Sequence, residues 1–183
     1  MMSPAKHRAD EPHTETKKAI RTFLSTRKSG LGRMVSSHFE IRTLEEAEKL
    51  STMLASHCPN PEKVATGMWE LLSNAVEHGN LEIDFEEKSR LVDNGLYAEE
   101  IASRLASPRY VRRVVSVKFK RSRRRIRIRI SDEGAGFDFQ PYFTDGAMSE
   151  GPNGRGILIA RKFSFDDVIY QGRGNVVDAV ILL

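Results

Sequence analysis

The chain has 183 residues, enough for one domain with appendages, and its 39% apolar content fills one core without leaving room for a second large one. A single cysteine, Cys58, excludes an internal disulfide framework and a cysteine-based zinc cluster, and no apolar run is long enough to span a bilayer. The formal charge of +4 is uneven, because residues 1–34 hold eight Lys and Arg against three Asp and Glu and leave the remainder slightly acidic.

Residues 1–34 read as a basic, flexible N-terminal extension. Pro4, Pro12 and a Ser/Thr/Lys mixture argue for a loose beginning, although Lys17–Leu24 has the makings of two helical turns. The stretch lacks the apolar core of a signal peptide, which points to a reducing, cytoplasmic setting. The domain proper is expected over residues 35–183. Val35–Arg42 alternates as a strand, with Val35, Ser37, Phe39 and Ile41 on one side. Thr43 is placed as an N-cap with Glu46 three residues on, and Leu44, Ala47, Leu50 and Leu54 form the inward stripe of a first helix.

Pro59 and Pro61 separate that helix from a second, whose buried side carries Val64, Met68, Leu71, Leu72, Ala75 and Val76 and which Gly79-Asn80 ends. Glu70 and Asn74, four apart, share one face at the margin of this stripe. A cleft with a general base beside a metal ligand needs such a face. Taken alone, the pair also fits the polar edge of an ordinary amphipathic helix. The next stretch, about 81–108, is highly charged but patterned. Phe85, Leu91 and Val92, then Tyr97, Ile101 and Leu105, predict a helical pair broken at Asn94-Gly95, which reads as an insertion.

Val111–Lys120 and Arg124–Ser131 read as antiparallel strands joined near Arg121-Ser122-Arg123, one sheet face apolar and the other cationic. Residues 112–129 contain ten Lys and Arg and no acid, yet Phe119 is their only aromatic. We therefore read a face that is solvated or meets an acidic partner, and expect no nucleic acid. The second strand runs into Asp132-Glu133-Gly134-Ala135-Gly136-Phe137, where the two glycines permit close backbone approach. Residues 139–153 include Pro141, Gly146, Gly151 and Pro152 and suit a mobile loop. Gly154-Arg155-Gly156 then opens a helix over Ile157–Phe163, whose free N–H groups and positive dipole end favour phosphate. Asp166–Tyr170 and Val176–Leu183 complete the sheet. No Walker A pattern occurs, and the glycines around residue 154 follow a loop rather than the strand of a dinucleotide-binding turn.

Glu70 to Asn80, the Asp132–Phe137 turn and Gly154-Arg155-Gly156, in that order, resemble the N, G1 and G2 boxes of the GHKL ATPase superfamily over roughly Ser36–Leu183. The Glu-x-x-x-Asn-Ala-x-x-His-Gly form of the first box and the late Gly174-Asn175 are most similar to the anti-sigma-factor serine/threonine kinases. The resemblance implies the Bergerat fold, an α/β two-layer sandwich with helices on one face of a mixed, mostly antiparallel sheet. ATP would lie between the Glu70 helix and the Gly156 loop. Asn74 would hold Mg²⁺ already bound to phosphate oxygens, and Glu70 would accept a proton from the attacking hydroxyl or water. Asp132 would accept a hydrogen bond from the adenine amino group, Gly134 and Gly136 would admit the base, and Gly154, Arg155 and Gly156 would meet the phosphates. Arg155 either adds charge there or is solvated, and Glu133 is a solvent-facing neighbour. His78 either lies near the phosphates or satisfies backbone groups at the helix end.

The function so implied is a regulatory serine/threonine kinase that phosphorylates a small antagonist protein and sequesters a sigma factor or another regulator. The alternative is a binding module that uses ATP to set its conformation without phosphoryl transfer. Protein partners are expected, a homodimer is admitted, and no membrane contact is foreseen. His38 and His57 lack the helical context of a phosphoacceptor box, which argues against a histidine kinase core acting on its own histidine.

Overall fold

The computed structural model describes residues 32–143 and 155–183; the expectations for residues 1–31, for Gly154 and for the loop between 144 and 153 lie outside the described residues. β1 spans Ser36–Ile41, and its alternation carries Phe39 and Ile41 toward the interior. α1 spans Leu44–Ala55 and begins with a complete capping box. Thr43 Oγ1 accepts from the Glu46 backbone N–H at 3.1 Å, and the Glu46 carboxylate accepts from the Thr43 N–H at 3.0 Å. Two donors that a helix start would leave unmet are thereby satisfied. α2 spans Pro61–Asn74, with proline at the first position, where its missing N–H costs nothing.

The stripe expected on α2 is buried, Val64, Met68, Leu72 and Val76 being at most 1% exposed. Its last turn departs from the expected α-helical ending. Ala75–Asn80 is a π-turn in which the Leu81 N–H donates to Val76 O, five residues back, at 2.9 Å. The stretch read as an insertion forms the predicted helical pair, α3 at Phe85–Asp93 and α4 at Tyr97–Ala106, broken where Gly95 takes φ 71°.

β2 spans Val115–Arg121, so the strand expected from Val111 starts later. Residues 107–113 fold into successive turns instead: the Tyr110 and Val111 N–H groups both donate to Ser107 O, and that of Arg113 donates to Tyr110 O. The β-propensity of Val111 is outweighed by the burial of Tyr110 and by two bonds of the Arg113 guanidinium, to Asn80 O and to Glu82. β3 spans Arg125–Ser131, β4 Asp167–Gln171 and β5 Val176–Leu182.

The strands lie in the order β1-β2-β3-β5-β4, and the sheet expected to be mixed and mostly antiparallel is antiparallel in each of these pairings. Register aligns Phe39, Val117, Ile130, Val177 and Tyr170 in one row across the five strands. This face shares its core with α1 and α2, giving the α/β two-layer arrangement. The other face is cationic, as the alternation of β3 predicts. Lys118 stands opposite Arg129, and Lys120 opposite Arg127. Such like-charge pairs oppose sheet formation, and Asp178 relieves one of them by holding Arg129 through two bonds of 2.7 Å.

α5 spans Arg155–Ile159 and also closes in a π-turn, Ala160–Ser164. Residues 139–143 belong to the expected mobile loop, but they are packed. Gln140–Tyr142 makes one tight helical turn, Phe139 stacks on Tyr170 at 5.6 Å, and the Arg161 guanidinium lies 4.2 Å over Phe143. Apolar aromatic burial wins there over the loop-forming Pro141. Cys58 is buried, and burial pushes its thiol up to about 12, which fits an inert helix-end residue. Among the described residues no helix is long and apolar enough to cross a membrane.

Candidate functional site

The end of α2, the turn after β3, the β4–β5 turn and the start of α5 surround one cavity of about 440 Å³. Asn74, His78, Asp132 and Gly136 line it, so four of the residues expected at the site are brought together from segments far apart in sequence. Its apolar lining includes Leu71, Ile130, Ile157, Tyr170 and Val177, a surface suited to a flat, largely apolar ligand portion.

Asp132 is fixed by its own backbone. Its N–H donates to Asn175 O at 3.0 Å, its carbonyl accepts from Asn175 Nδ2 at 3.1 Å, and its carboxylate accepts from the Gly134 N–H at 2.9 Å. Burial pushes its pKa up to about 6, against the opposing pull of the Gly134 N–H and of Arg173 and Arg113. The glycines around it have steric reasons. A Cβ on Gly79 would overlap the Asp132 carboxyl, one on Gly134 would overlap Gly79 O, and one on Gly136, at φ 82°, would overlap Arg173 O. Gly79 thus does more than stop a helix: it lets the end of α2 lie directly against the turn.

Glu70 and Asn74 occupy one face of α2, and α5 closes over them. A Cβ on Gly156 would lie 2.6 Å from Glu70 Oε2 and 3.5 Å from Asn74 Nδ2. Gly156 therefore meets the expected acid and amide, whereas Arg155 is exposed at the start of α5. Among the described residues no group of three or more His, Cys, Asp or Glu is arranged to hold a metal ion. A cation carried in by its ligand would find one amide oxygen here, that of Asn74.

His78 shows the backbone-satisfying arrangement, its Nδ1–H donating to Ile83 O at 2.5 Å, while its ring also lines the cavity. Burial drives its pKa down and favours the neutral imidazole. Glu133 is more than a solvent-facing neighbour. Its carboxylate accepts from the Val114 N–H at 3.0 Å, and its own N–H donates to Asn80 Oδ1 at 2.8 Å, tying turn, strand and helix end.

Sequence reasoning missed Glu77, Phe85 and Tyr170. Glu77 is fully buried and bonded to Lys88 and Tyr97 of the insertion; the available signal was an acid directly following Ala75-Val76 in an apolar run. Phe85 reads as part of the apolar pattern of residues 81–108 and Tyr170 as the end of a strand, and both line the cavity. A family model described as a histidine kinase-like ATPase domain matches residues 40–181. No curated protein matches the sequence.

Proposed function

The chain belongs to the histidine kinase-like ATPase family, and from that premise we propose that it is a regulatory serine/threonine protein kinase of the anti-sigma-factor type. It binds ATP in the cavity and transfers the γ-phosphoryl group to a hydroxyl of a small antagonist protein, with a sigma factor or another regulator as its further partner. The observation that carries the reading is the meeting of Glu70, Asn74 and Gly156 beside a cavity that Asn74 and Asp132 line. An acid suited to proton acceptance and an amide suited to a magnesium ion sit where a helix start can face phosphate.

In this mechanism Asp132 accepts the adenine amino hydrogen, and Gly134 and Gly136 leave room for the base. Asn74 would hold Mg²⁺, whose charge offsets that of the phosphate chain. Glu70 takes the proton of the attacking serine or threonine hydroxyl. The hydroxyl oxygen bonds the γ-phosphorus, the bond from that phosphorus to the bridging oxygen breaks, and ADP departs with the bridging oxygen. Gly156, Arg155 and Gly154 would orient the phosphates.

Incubation with γ-labelled ATP, Mg²⁺ and candidate antagonist proteins from the same genome tests the proposal. Label is expected on a serine or threonine of one partner. Glu70→Gln is expected to slow the transfer on the order of 10²–10⁴-fold while nucleotide affinity is largely kept. Equal transfer by wild type and Glu70→Gln removes the base. A partner bound more tightly with ATP yet left unmodified makes the protein a binding module instead.

A further inference from the structure

The segment that leads from the π-turn into the insertion forms part of the cavity wall. Glu82, Ile83, Asp84 and Phe85 all line it. The Phe85 ring is half-buried against His78, with centroids 4.2 Å apart and planes tilted by 47°. Two sets of bonds hold this short segment, and a third ties the π-turn before it to the helices after it. His78 holds Ile83 O; Arg104 of α4 donates to Leu81 O at 2.8 Å and to Glu82 O at 2.9 Å; and the Glu77 carboxylate, fully buried, is held by Lys88 of α3 and Tyr97 of α4.

Burying a carboxylate and an ammonium is costly in desolvation, and an apolar pair of similar size would hold two helices together at least as well. What the ionic arrangement adds is direction, since Lys88 lies one turn beyond Phe85 on the same helix. The wall contributed by residues 82–85 offers the Phe85 ring and the apolar Ile83, while the Glu82 carboxylate is already paired with Arg109 and Arg113. An aromatic ring beside apolar neighbours, with its adjacent acid already paired, suits an uncharged, ring-containing ligand portion.

We propose that the insertion completes the nucleotide site, Phe85 packing against the nucleoside portion of ATP, with Glu77, Lys88 and Tyr97 as the positioning residues that hold it there. The proposal rests on the ATP-binding reading above. It makes residues 82–85 part of the ligand cavity and the two helices that follow their support, a role distinct from that of a surface appendage.

Calorimetry on the full chain with ATP, adenosine and inorganic triphosphate, each with Mg²⁺, tests it. Phe85→Ala is expected to weaken ATP and adenosine about tenfold or more and to leave triphosphate unchanged, since stacking on an aromatic ring is worth roughly that much per base. Phe85→Tyr is expected to restore binding, which guards against a folding defect in the alanine variant. Tyr97→Phe, measured well below its unfolding midpoint, is expected to weaken ATP and adenosine severalfold with triphosphate again unaffected; a purely structural hydroxyl would lower the midpoint alone. Wild-type affinity for ATP in Phe85→Ala, or an equal loss for triphosphate, overturns the proposal while the ATP-binding reading stands. Failure of the wild-type chain to bind any of the three ligands overturns both.

Discussion

At the scale of single residues, Asp132 shows how a fold sets the chemistry of one carboxyl. The Gly79 approach that seats it against α2 also shields it in part from water, and this burial raises its pKa to about 6 from an ordinary 3.8. A pKa raised by folding favours the protonated native form. The stability it contributes is therefore complete below the unfolded value and is lost as pH rises through about 6. The proposed adenine contact would run the other way, because only the ionised carboxylate presents acceptors alone to an amino group. ATP binding should accordingly be at full strength above about pH 6, weaken by about tenfold per pH unit below it, and expel a proton near that pH. Asp132→Asn should bind more weakly and lose this pH dependence. Titration calorimetry of both proteins between acid and neutral pH checks it, since the phosphate protonation of the nucleotide is common to the two. An identical pH profile for wild type and Asp132→Asn would remove Asp132 from the adenine contact.

At the scale of elements, α1 is the one whose start is written most plainly in sequence, and it stands apart from the cavity-lining residues. Thr43→Ala removes the acceptor for the Glu46 N–H and should cost about 1 kcal/mol. For a chain of this size that lowers the unfolding midpoint by about 2–4 °C, and nucleotide affinity should be unchanged; thermal unfolding beside a binding titration checks both. Hydrogen bonds from the Arg42 and Thr43 N–H groups hold the Glu46 carboxyl below its ordinary value, so its share of the cap is lost only in acid. The same local signals made the stripe of α2, the helical pair of the insertion and the alternation of β3 legible, because periodicity reports which face is buried. Two features were not legible for a shared reason. The π-turn at Ala75–Asn80 breaks the 3.6-residue period on which the reading depends, and the turns at 107–113 are held by Tyr110 burial and by Arg113 bonds to residues about thirty positions earlier. Glu70, Asn74, Asp132 and Gly156 were readable as residue types at recognisable spacings. That Gly79 presses on Asp132, or that Glu77 anchors the insertion, depends on contacts no local window contains.

At the scale of the molecule, the cavity exists only when the chain is folded. Its walls come from the end of α2, residues 82–85, the turn after β3, α5 and the β4–β5 turn, all set by one antiparallel sheet and the helices on its apolar face. A ligand of that cavity binds the native state and not the unfolded one, so it must raise the unfolding temperature by mass action. At a hundredfold excess over Kd the gain is about 2.7 kcal/mol, which for a domain of this size corresponds to about 5–11 °C. With ATP and Mg²⁺ the wild-type chain should show a shift of that order, with a smaller one when the metal is chelated. In Asn74→Ala the metal-dependent increment should vanish while a metal-independent shift remains, because on the proposed reading Asp132 and the apolar walls would still hold the nucleoside. Differential scanning at matched ATP concentrations, with and without Mg²⁺, separates the two parts. If the metal-dependent increment persists undiminished in Asn74→Ala, the amide is not the ligand, and the cation rests on the phosphates alone.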